Sequence, residues 1–467
     1  MAYFESIMPT GFRDERRAHV ATVVDPLRDR CDIVDLGLWA DRGDAAEIGK
    51  KLETAQCDVL LLIPTMATPP AEIASLAEAA KLPVVIVCGH DLERVTKDYD
   101  MAALCRHSTN VGATMLGSML RRLDQPIEPI LVAGFLDDPN CHTRIQLAVE
   151  TAALGQRLRG LRVGRLGAPM PGYDHLGLSQ DQAAASGIEL IDIPLERWTS
   201  AFAEITDVNV SYALDEVLPS ILPKGAVFSR SPDLYRAMRL ALAMDRVAND
   251  ERLDCGTIAC RGPFGDGLEQ GAISCLATTL LAATGRPFSA TGDIVTAIAM
   301  LIGRTLGGAT LYCELDAVDR ERDAFLVANT GEADIGWCPE NGVFEIADAS
   351  AHSGRQVPGV VLSHDLGEGP ATMLGVTLDR TRSERLTLIA LEGHTLEPAE
   401  TALRVTNGWF RTTHRSALSA IEAWANASAT HHGSLSPGHL AEATRWLGMI
   451  LGHPVTTINE KGAVNVK

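Results

Sequence analysis

The sequence has few aromatic side chains and a shortage of positive charge. Aromatic residues make up 5% of its 467 positions, and 41 Lys and Arg residues stand against 60 Asp and Glu residues, for a formal net charge of −19. Nucleic acids and anionic membranes are bound through dense Lys and Arg clusters. The charge balance therefore argues against both as the main partner and favours a small neutral or cationic ligand.

Several sequence motifs are also missing. No apolar run approaches the ~18 residues that span a bilayer, so we expect no membrane insertion. There is no G-x-x-x-x-G-K-[ST] loop, no G-x-S-x-G nucleophile elbow and no H-E-x-x-H zinc motif. The ten cysteines contain no C-x-x-C pair, which disfavours a zinc ribbon. Most lie in apolar runs, as reduced cysteines do, and this predicts a cytoplasmic location.

The first part of the chain alternates short apolar runs with segments of helical periodicity. The runs at 31–37, 57–64, 82–89 and 129–135 are nearly continuously apolar, which is typical of strands covered on both faces of a parallel sheet. Such alternation implies right-handed βαβ units and a doubly wound sheet. We therefore predict a flavodoxin-like α/β domain over 1–160.

The rest of the chain shows two different sequence patterns, one after the other. A second α/β pattern begins with the strand-like run 161–167, continues through 188–195 and is predicted to end with the strand 309–315. Short strands separated by turn residues follow, which is typical of an antiparallel sheet or barrel. The predicted fold class is α/β: two doubly wound, flavodoxin/Rossmann-like parallel-sheet domains, the second over 161–325, and a C-terminal antiparallel β-barrel-like domain over 326–467.

Acidic and imidazole side chains lie at strand ends or in the loops after them, where α/β enzymes place their chemistry. They are Glu314, Glu332, His364, and the pair His431 and His432. Two Glu and two His side chains would bind a transition metal such as Mn²⁺ or Co²⁺. Each residue alone also fits an ordinary solvated strand end or surface loop, and sequence spacing does not establish that they converge.

Local signals predict two helix starts and one loop. Ser436 and Pro437 fit the N-cap and first position of the last helix. Asp293 fits the N-terminal end of another helix, where the helix dipole favours negative charge. The glycine-rich segment 262–271 does not match G-x-G-x-x-G and is predicted to be a loop.

Blocks across most of the chain resemble the L-arabinose isomerase family and, more distantly, L-fucose isomerase. The two most specific blocks are LLAATGRPFSATGDIVTAIAMLIGRTLGGATLYCELD in the middle and THHGSLSPGHLAEATRWLGMILGHPVTTIN near the C-terminus. The resemblance implies that Glu314, Glu332, His364 and His432 hold a divalent ion, Mn²⁺ or another such as Co²⁺. Glu314 and Glu332 would also be the catalytic residues.

The resemblance also implies residues that contact the substrate. These are His431, beside the ligand histidine, and His107 and Asn110 in HSTN, where the family has Q-S-A-H-G. It further implies a homo-oligomer, such as a hexamer, in which His107 and Asn110 reach a neighbouring subunit's active site. Non-aromatic residues follow Glu314 where the family has aromatic ones, so the sugar is left open. They are Leu315, Ala317 and Val318.

The implied function is isomerisation of an open-chain aldose, similar to L-arabinose or L-fucose, to a ketose. The ion would polarise the C1 and C2 oxygens, and Glu314 and Glu332 would exchange protons through an ene-diol. A metal-assisted hydride shift would use the same ligands. Two alternatives remain: an epimerase or lyase acting on a sugar or sugar acid, and a non-catalytic sugar-binding protein. The sequence does not decide whether His431 or His432 faces the metal.

Overall fold

The structure, a computed structural model, describes residues 8, 10–39, 44–350, 357–381, 383–399, 401–459 and 462–466. The chain forms two compact units, one of residues 1–157 with 449–451 and one of residues 158–448 with 452–467. Among the helices in the described ranges, none is long and apolar enough to cross a membrane. The three-domain division stays a prediction.

The α-helices are α1 Phe12–Val24, α2 Asp44–Thr54, α3 Ala71–Ala80, α4 Met101–Arg106, α5 Thr109–Leu120, α6 Pro139–Arg157, α7 Gln180–Ala185, α8 Leu195–Ala203, α9 Asp207–Tyr212, α10 Leu218–Ile221, α11 Pro232–Asp250, α12 Cys275–Ala283, α13 Ile294–Gly307, α14 Ala417–Asn426 and α15 Ala441–Leu451. The strands are β1 Leu60–Leu62, β2 Val84–His90, β3 Ile130–Phe135, β4 Leu161–Leu166, β5 Ile188–Asp192, β6 Val227–Phe228, β7 Cys255–Ile258, β8 Phe288–Ser289, β9 Leu311–Asp319, β10 Ala324–Ala328, β11 Glu345–Asp348, β12 Val360–Ser363, β13 Gly369–Thr377, β14 Thr387–Thr395, β15 Asn407–Thr412, β16 His432–Pro437, β17 Val455–Asn459 and β18 Gly462–Val466.

The first unit contains a three-stranded parallel sheet in the order β1-β2-β3. Its central strand β2 is buried along most of its length, as the run of valine and isoleucine predicts. The predicted strand at 31–37 is wrong, because residues 31–39 form no strand. There the Asp35 carboxylate accepts a hydrogen bond from the Gly37 N–H at 2.8 Å, so a local turn competes successfully with an extended conformation.

The second unit begins with a four-stranded parallel sheet in the order β5-β4-β7-β8. The helical periodicity of the sequence gives α11, α12 and α13, and the buried faces of α11 and α12 belong to the largest apolar core of the described chain. A small sheet in the order β12-β11-β6 lies in the same unit. The segment 262–271 is built of turns and loop, as predicted.

A closed six-stranded antiparallel barrel forms the rest of the second unit. The strands follow the order β13-β16-β9-β10-β15-β14, and β14 pairs with β13 to close the circle. The consecutive strands β13 and β14 pair in antiparallel fashion along their whole length. The strand predicted to end the central α/β region is instead the barrel strand β9, because it pairs with β16 on one side and β10 on the other.

The predicted start of the last helix is wrong. Ser436 and Pro437 lie at the end of β16, and the helix α15 begins only at Ala441. The run from His432 to Pro437 pairs with β9 on one side and with β13 on the other. Hydrogen bonding to two neighbouring strands outweighs the local preference of Ser-Pro for a helix N-terminus.

His453, in the turn between α15 and β17, makes the stability of the fold depend on pH. Burial and the nearby positive charge of Arg385 lower the pKa of His453 to about 4 from 6.5. Because the unfolded chain binds this proton more readily, stability is lost as the pH falls from 6.5 towards 4. A shift of this size corresponds to up to ~3 kcal/mol.

We therefore expect the urea midpoint of the wild-type protein to fall between pH 7 and pH 4.5, and to fall less in His453→Gln. The exposed His439 serves as the matched control, and His439→Gln should keep the wild-type pH dependence. Equal pH dependence in His453→Gln and the wild-type protein would show that His453 does not contribute.

Candidate metal centre

Two barrel strands bring Glu314 and His432 together. β9 and β16 are antiparallel neighbours, and their register places Glu314 directly opposite His432. Side chains alternate along a strand, so Cys313 belongs to the apolar core of the barrel while Glu314 lies on the outer face. Glu314 had been predicted at a strand end, but it lies within β9, which continues to Asp319.

Three side chains converge at this point: Glu314, His431 and His432. Their potential ligand atoms all lie within 4.8 Å of one another. The Glu314 Oε1 atom is 3.3 Å from Nε2 of His432 and 4.0 Å from Nε2 of His431. The side chains of Glu314 and His431 are each 37% exposed, whereas that of His432 is 6% exposed. The group is thus anchored on its buried side and open to solvent on the other.

The second ring nitrogen of each histidine also has a partner. Nδ1 of His432 lies 2.8 Å from Oδ2 of Asp293, and Nδ1 of His431 lies 3.3 Å from Nε2 of His175. Asp293 and His175 follow the carboxyl ends of β8 and β4, the edge at which open α/β sheets bind ligands. Both imidazoles therefore present Nε2 to the same carboxylate oxygen while Nδ1 is engaged elsewhere.

The charges of the group favour a bound cation. Burial disfavours the charged form of His432, but its hydrogen bonds to Asp293 and Glu314 outweigh burial and raise the pKa of His432 to about 9. The hydrogen bond from His432 lowers the pKa of Glu314. Burial and the neighbouring His432 lower the pKa of His431. A proton therefore lies between His432 and Glu314 in the metal-free protein, and a metal ion bound at the same point would take its place.

Glu332, the second predicted ligand glutamate, does not belong to this group. Its Oε1 atom accepts a hydrogen bond from the Cys275 thiol at 3.7 Å, and its Oε2 atom is buried without a partner. Burial raises the pKa of Glu332, and the charges of His432 and Arg261 act in the opposite direction. Glu332 is therefore a buried carboxyl close enough to the metal group to interact with it electrostatically.

His364, the other predicted ligand, also lies outside the group. Its Nδ1 atom donates to the carbonyl oxygen of Asp365 at 2.8 Å, and its ring stacks on Phe344 with centroids 5.5 Å apart. Its Nε2 atom is buried without a partner, and burial lowers the pKa of His364. Its role as a metal ligand stays a prediction.

The two predicted substrate residues of the first unit lie near Asp91 and β2. Nδ1 of His107 is 3.1 Å from Oδ1 of Asp91, and the Cys88 thiol donates to Oδ1 of Asn110 at 3.3 Å. Both residues belong to the unit of residues 1–157 with 449–451, whereas the metal group belongs to the other unit. Their part in binding a substrate stays a prediction.

Asp293, Tyr312 and His175 were missed as functional residues in the sequence. The sequence predicted Asp293 as a helix start, and it does cap α13, but nothing local indicated its bond to His432. Tyr312 could have been found, because it lies two positions before Glu314 and therefore on the same face of the strand. His175 follows β4 of the four-stranded parallel sheet, not a barrel strand, and had no local signal.

No protein-family model matches the chain, and no curated protein matches it. The resemblance to sugar isomerases therefore depends on the sequence blocks quoted above.

Proposed function

We propose that this chain is a divalent-metal-dependent aldose–ketose isomerase acting on an open-chain sugar similar to L-arabinose or L-fucose. One observation carries the proposal: His431 and His432 both turn Nε2 towards Oε1 of Glu314, while their Nδ1 atoms contact His175 and Asp293. Histidines that bind metals characteristically use one ring nitrogen for the ion and the other for such an outer partner.

The donor set fits the implied ion. Two imidazole nitrogens and one carboxylate oxygen suit Mn²⁺, Co²⁺ and similar divalent metals, and a three-ligand site leaves positions for substrate oxygens. Glu314, His431 and His432 would hold the ion. When bound, it would polarise the C1 and C2 oxygens of the sugar. His431, which the sequence predicted as a substrate contact, is here proposed as a ligand.

The two glutamates have environments that suit different proton-transfer roles. Glu314, whose pKa is lowered by His432, takes the proton from C2 of the aldose. Glu332, whose pKa is raised by burial, donates a proton to O1 to complete the ene-diol. Glu314 then returns a proton to C1 while Glu332 accepts the O2 proton, which yields the ketose.

The proposal extends to the organisation of the protein. It includes a doubly wound, flavodoxin/Rossmann-like domain over 1–160, a second one that ends before β9, and a C-terminal domain that contains the barrel strands from β9 onwards. It also includes a cytoplasmic homo-oligomer, such as a hexamer, in which His107 and Asn110 contact substrate in a neighbouring subunit. A catalytically active monomer in light scattering would refute the oligomer.

Metal content and product formation test the function together. Purified protein is loaded with Mn²⁺ or Co²⁺ and assayed under argon with pentoses, hexoses and 6-deoxyhexoses. We expect about one ion per chain and a ketose product from one sugar. Argon excludes oxygen-dependent chemistry, which iron enzymes perform with a similar two-histidine, one-carboxylate donor set.

The matched variants are Glu314→Ala, which should lose both metal and product, and Glu345→Ala at an exposed position of β11, which should lose neither. Absence of stoichiometric metal in the wild-type protein would refute the metal-dependent function. Bound metal with an epimerised or cleaved product would favour the epimerase or lyase alternative, and bound metal with sugar binding alone would favour the non-catalytic one.

A further inference from the structure

We infer that Asp293 is the positioning residue that orients His432 towards the metal, and that α13 and β16 together form its support. The inference depends on the proposed metal-binding function and adds to it a residue that touches neither substrate nor ion.

The two carboxylate oxygens of Asp293 make separate contacts. Oδ1 accepts a hydrogen bond from the Thr296 N–H at 2.9 Å and so caps α13, while Oδ2 lies 2.8 Å from Nδ1 of His432. Asp293 is fully buried. Because a carboxylate oxygen accepts hydrogen bonds, Nδ1 of His432 carries a hydrogen, and in the neutral imidazole the lone pair is therefore on Nε2 and directed at Glu314.

The Tyr312 hydroxyl restrains the same contact from a second direction. It lies 2.7 Å from Nδ1 of His432 and 3.3 Å from Oδ2 of Asp293. The Tyr312 hydroxyl donates a hydrogen bond to Oδ2 of Asp293. The buried carboxylate is therefore held by donors on both oxygens and has little freedom to turn away from His432.

The turn before α13 is strained in a way that supports this role. Thr291 has a φ of 60°, in the left-handed region that a β-branched side chain rarely adopts. Its hydroxyl lies 3.2 Å from the Tyr312 hydroxyl. Strained backbone of this kind persists where the surrounding contacts over-determine it, and it is concentrated at functional sites.

The helix and the strand are joined at a second point, far from Asp293. A Cβ atom at Gly303 would lie 2.0 Å from Oγ of Ser436 and 2.8 Å from Oγ of Ser434, so α13 approaches β16 as closely as a glycine allows. Ten residues of helix between Asp293 and Gly303 rise ~15 Å. Four residues of strand between His432 and Ser436 cover ~13 Å. The matching lengths keep Asp293 beside His432 when Gly303 is against Ser436.

The test uses the full-length protein and two substitutions of Asp293. Asp293→Asn cannot accept hydrogen bonds from both Thr296 and His432, because one of its two terminal atoms is now a donor. Asp293→Ser is a good helix cap but is too short to reach His432. We expect both variants to bind Co²⁺ about 10–100-fold more weakly than wild type, the effect typical of losing such an outer partner.

The matched control is Ser416→Ala, which removes the N-cap of α14, where the Ser416 hydroxyl accepts from the Ser419 N–H at 3.3 Å. It should lose thermal stability without losing Co²⁺ affinity. Co²⁺ binding by Asp293→Asn within threefold of wild type would overturn the inference, since a merely structural role for Asp293 would give the same result as the control.

A second measurement separates this inference from the proposed function. Nitrogen-15 NMR of metal-free, histidine-labelled protein at pH 10, with His432→Gln used to assign the signal, reports which ring nitrogen of neutral His432 carries the hydrogen. We expect Nδ1–H in the wild-type protein and a shift towards Nε2–H in Asp293→Asn. If the wild-type protein binds no Co²⁺, the metal function fails, whereas an unchanged tautomer in Asp293→Asn overturns the positioning role by itself.

Discussion

Glu332→Gln is expected to lower kcat for ketose formation by about 10²–10⁴-fold, the usual contribution of a positioned acid or base, while leaving metal affinity nearly unchanged. The amide keeps the size of the side chain and can still accept from Cys275, but it cannot exchange a proton with the sugar. Since Glu332 lies outside the group formed by Glu314, His431 and His432, its loss removes no ligand atom of that group.

The measurement is kcat at saturating Mn²⁺, together with the dissociation constant for Mn²⁺. Glu314→Gln, the matched variant on the other glutamate, should weaken metal binding and lower turnover together. Wild-type turnover in Glu332→Gln would exclude Glu332 from catalysis. A parallel loss of metal affinity would instead place Glu332 among the metal ligands, as the family resemblance implies.

Trp198→Ala is expected to lower the free energy of unfolding by about 3–5 kcal/mol, the usual cost of truncating a fully buried Trp. Trp198 lies on α8 and is fully buried in the core of the second unit, with its ring centroid 6.1 Å from that of Phe202. The truncation leaves a cavity that the surrounding helices can close only in part. Urea denaturation followed by circular dichroism measures the change.

The conservative variant isolates the packing contribution. The Nε1–H of Trp198 is buried without a hydrogen-bond partner, so Trp198→Phe removes an unsatisfied donor and keeps most of the apolar volume. We expect it to change the free energy of unfolding by less than about 1.5 kcal/mol. A loss as large in Trp198→Phe as in Trp198→Ala would mean that the shape of the indole, and not the volume it fills, stabilises this core.

Much of the fold could be predicted because its signals are local. The apolar runs that became β2 and β4 are largely buried in parallel sheets, and the helical pattern that became α13 begins at Asp293 as expected. Runs of β-branched residues and capping carboxylates act through neighbours a few positions away. Two predictions failed because a competing contact was stronger. The strand predicted at 31–37 does not form, since the Asp35 side chain accepts a hydrogen bond from the Gly37 N–H, and the helix start predicted at Ser436 does not form, since Ser436 pairs with β13 as part of β16.

The sequence by itself singled out Glu314, His431 and His432, the side chains of the candidate metal group, because Glu and His are residue types that bind transition metals. Only the tertiary structure decided which of them meet. Glu314 contacts His432 because of the register between β9 and β16, and Asp293 reaches His432 because α13 packs along β16. Register and helix packing result from contacts between segments far apart in the chain, which no local pattern encodes.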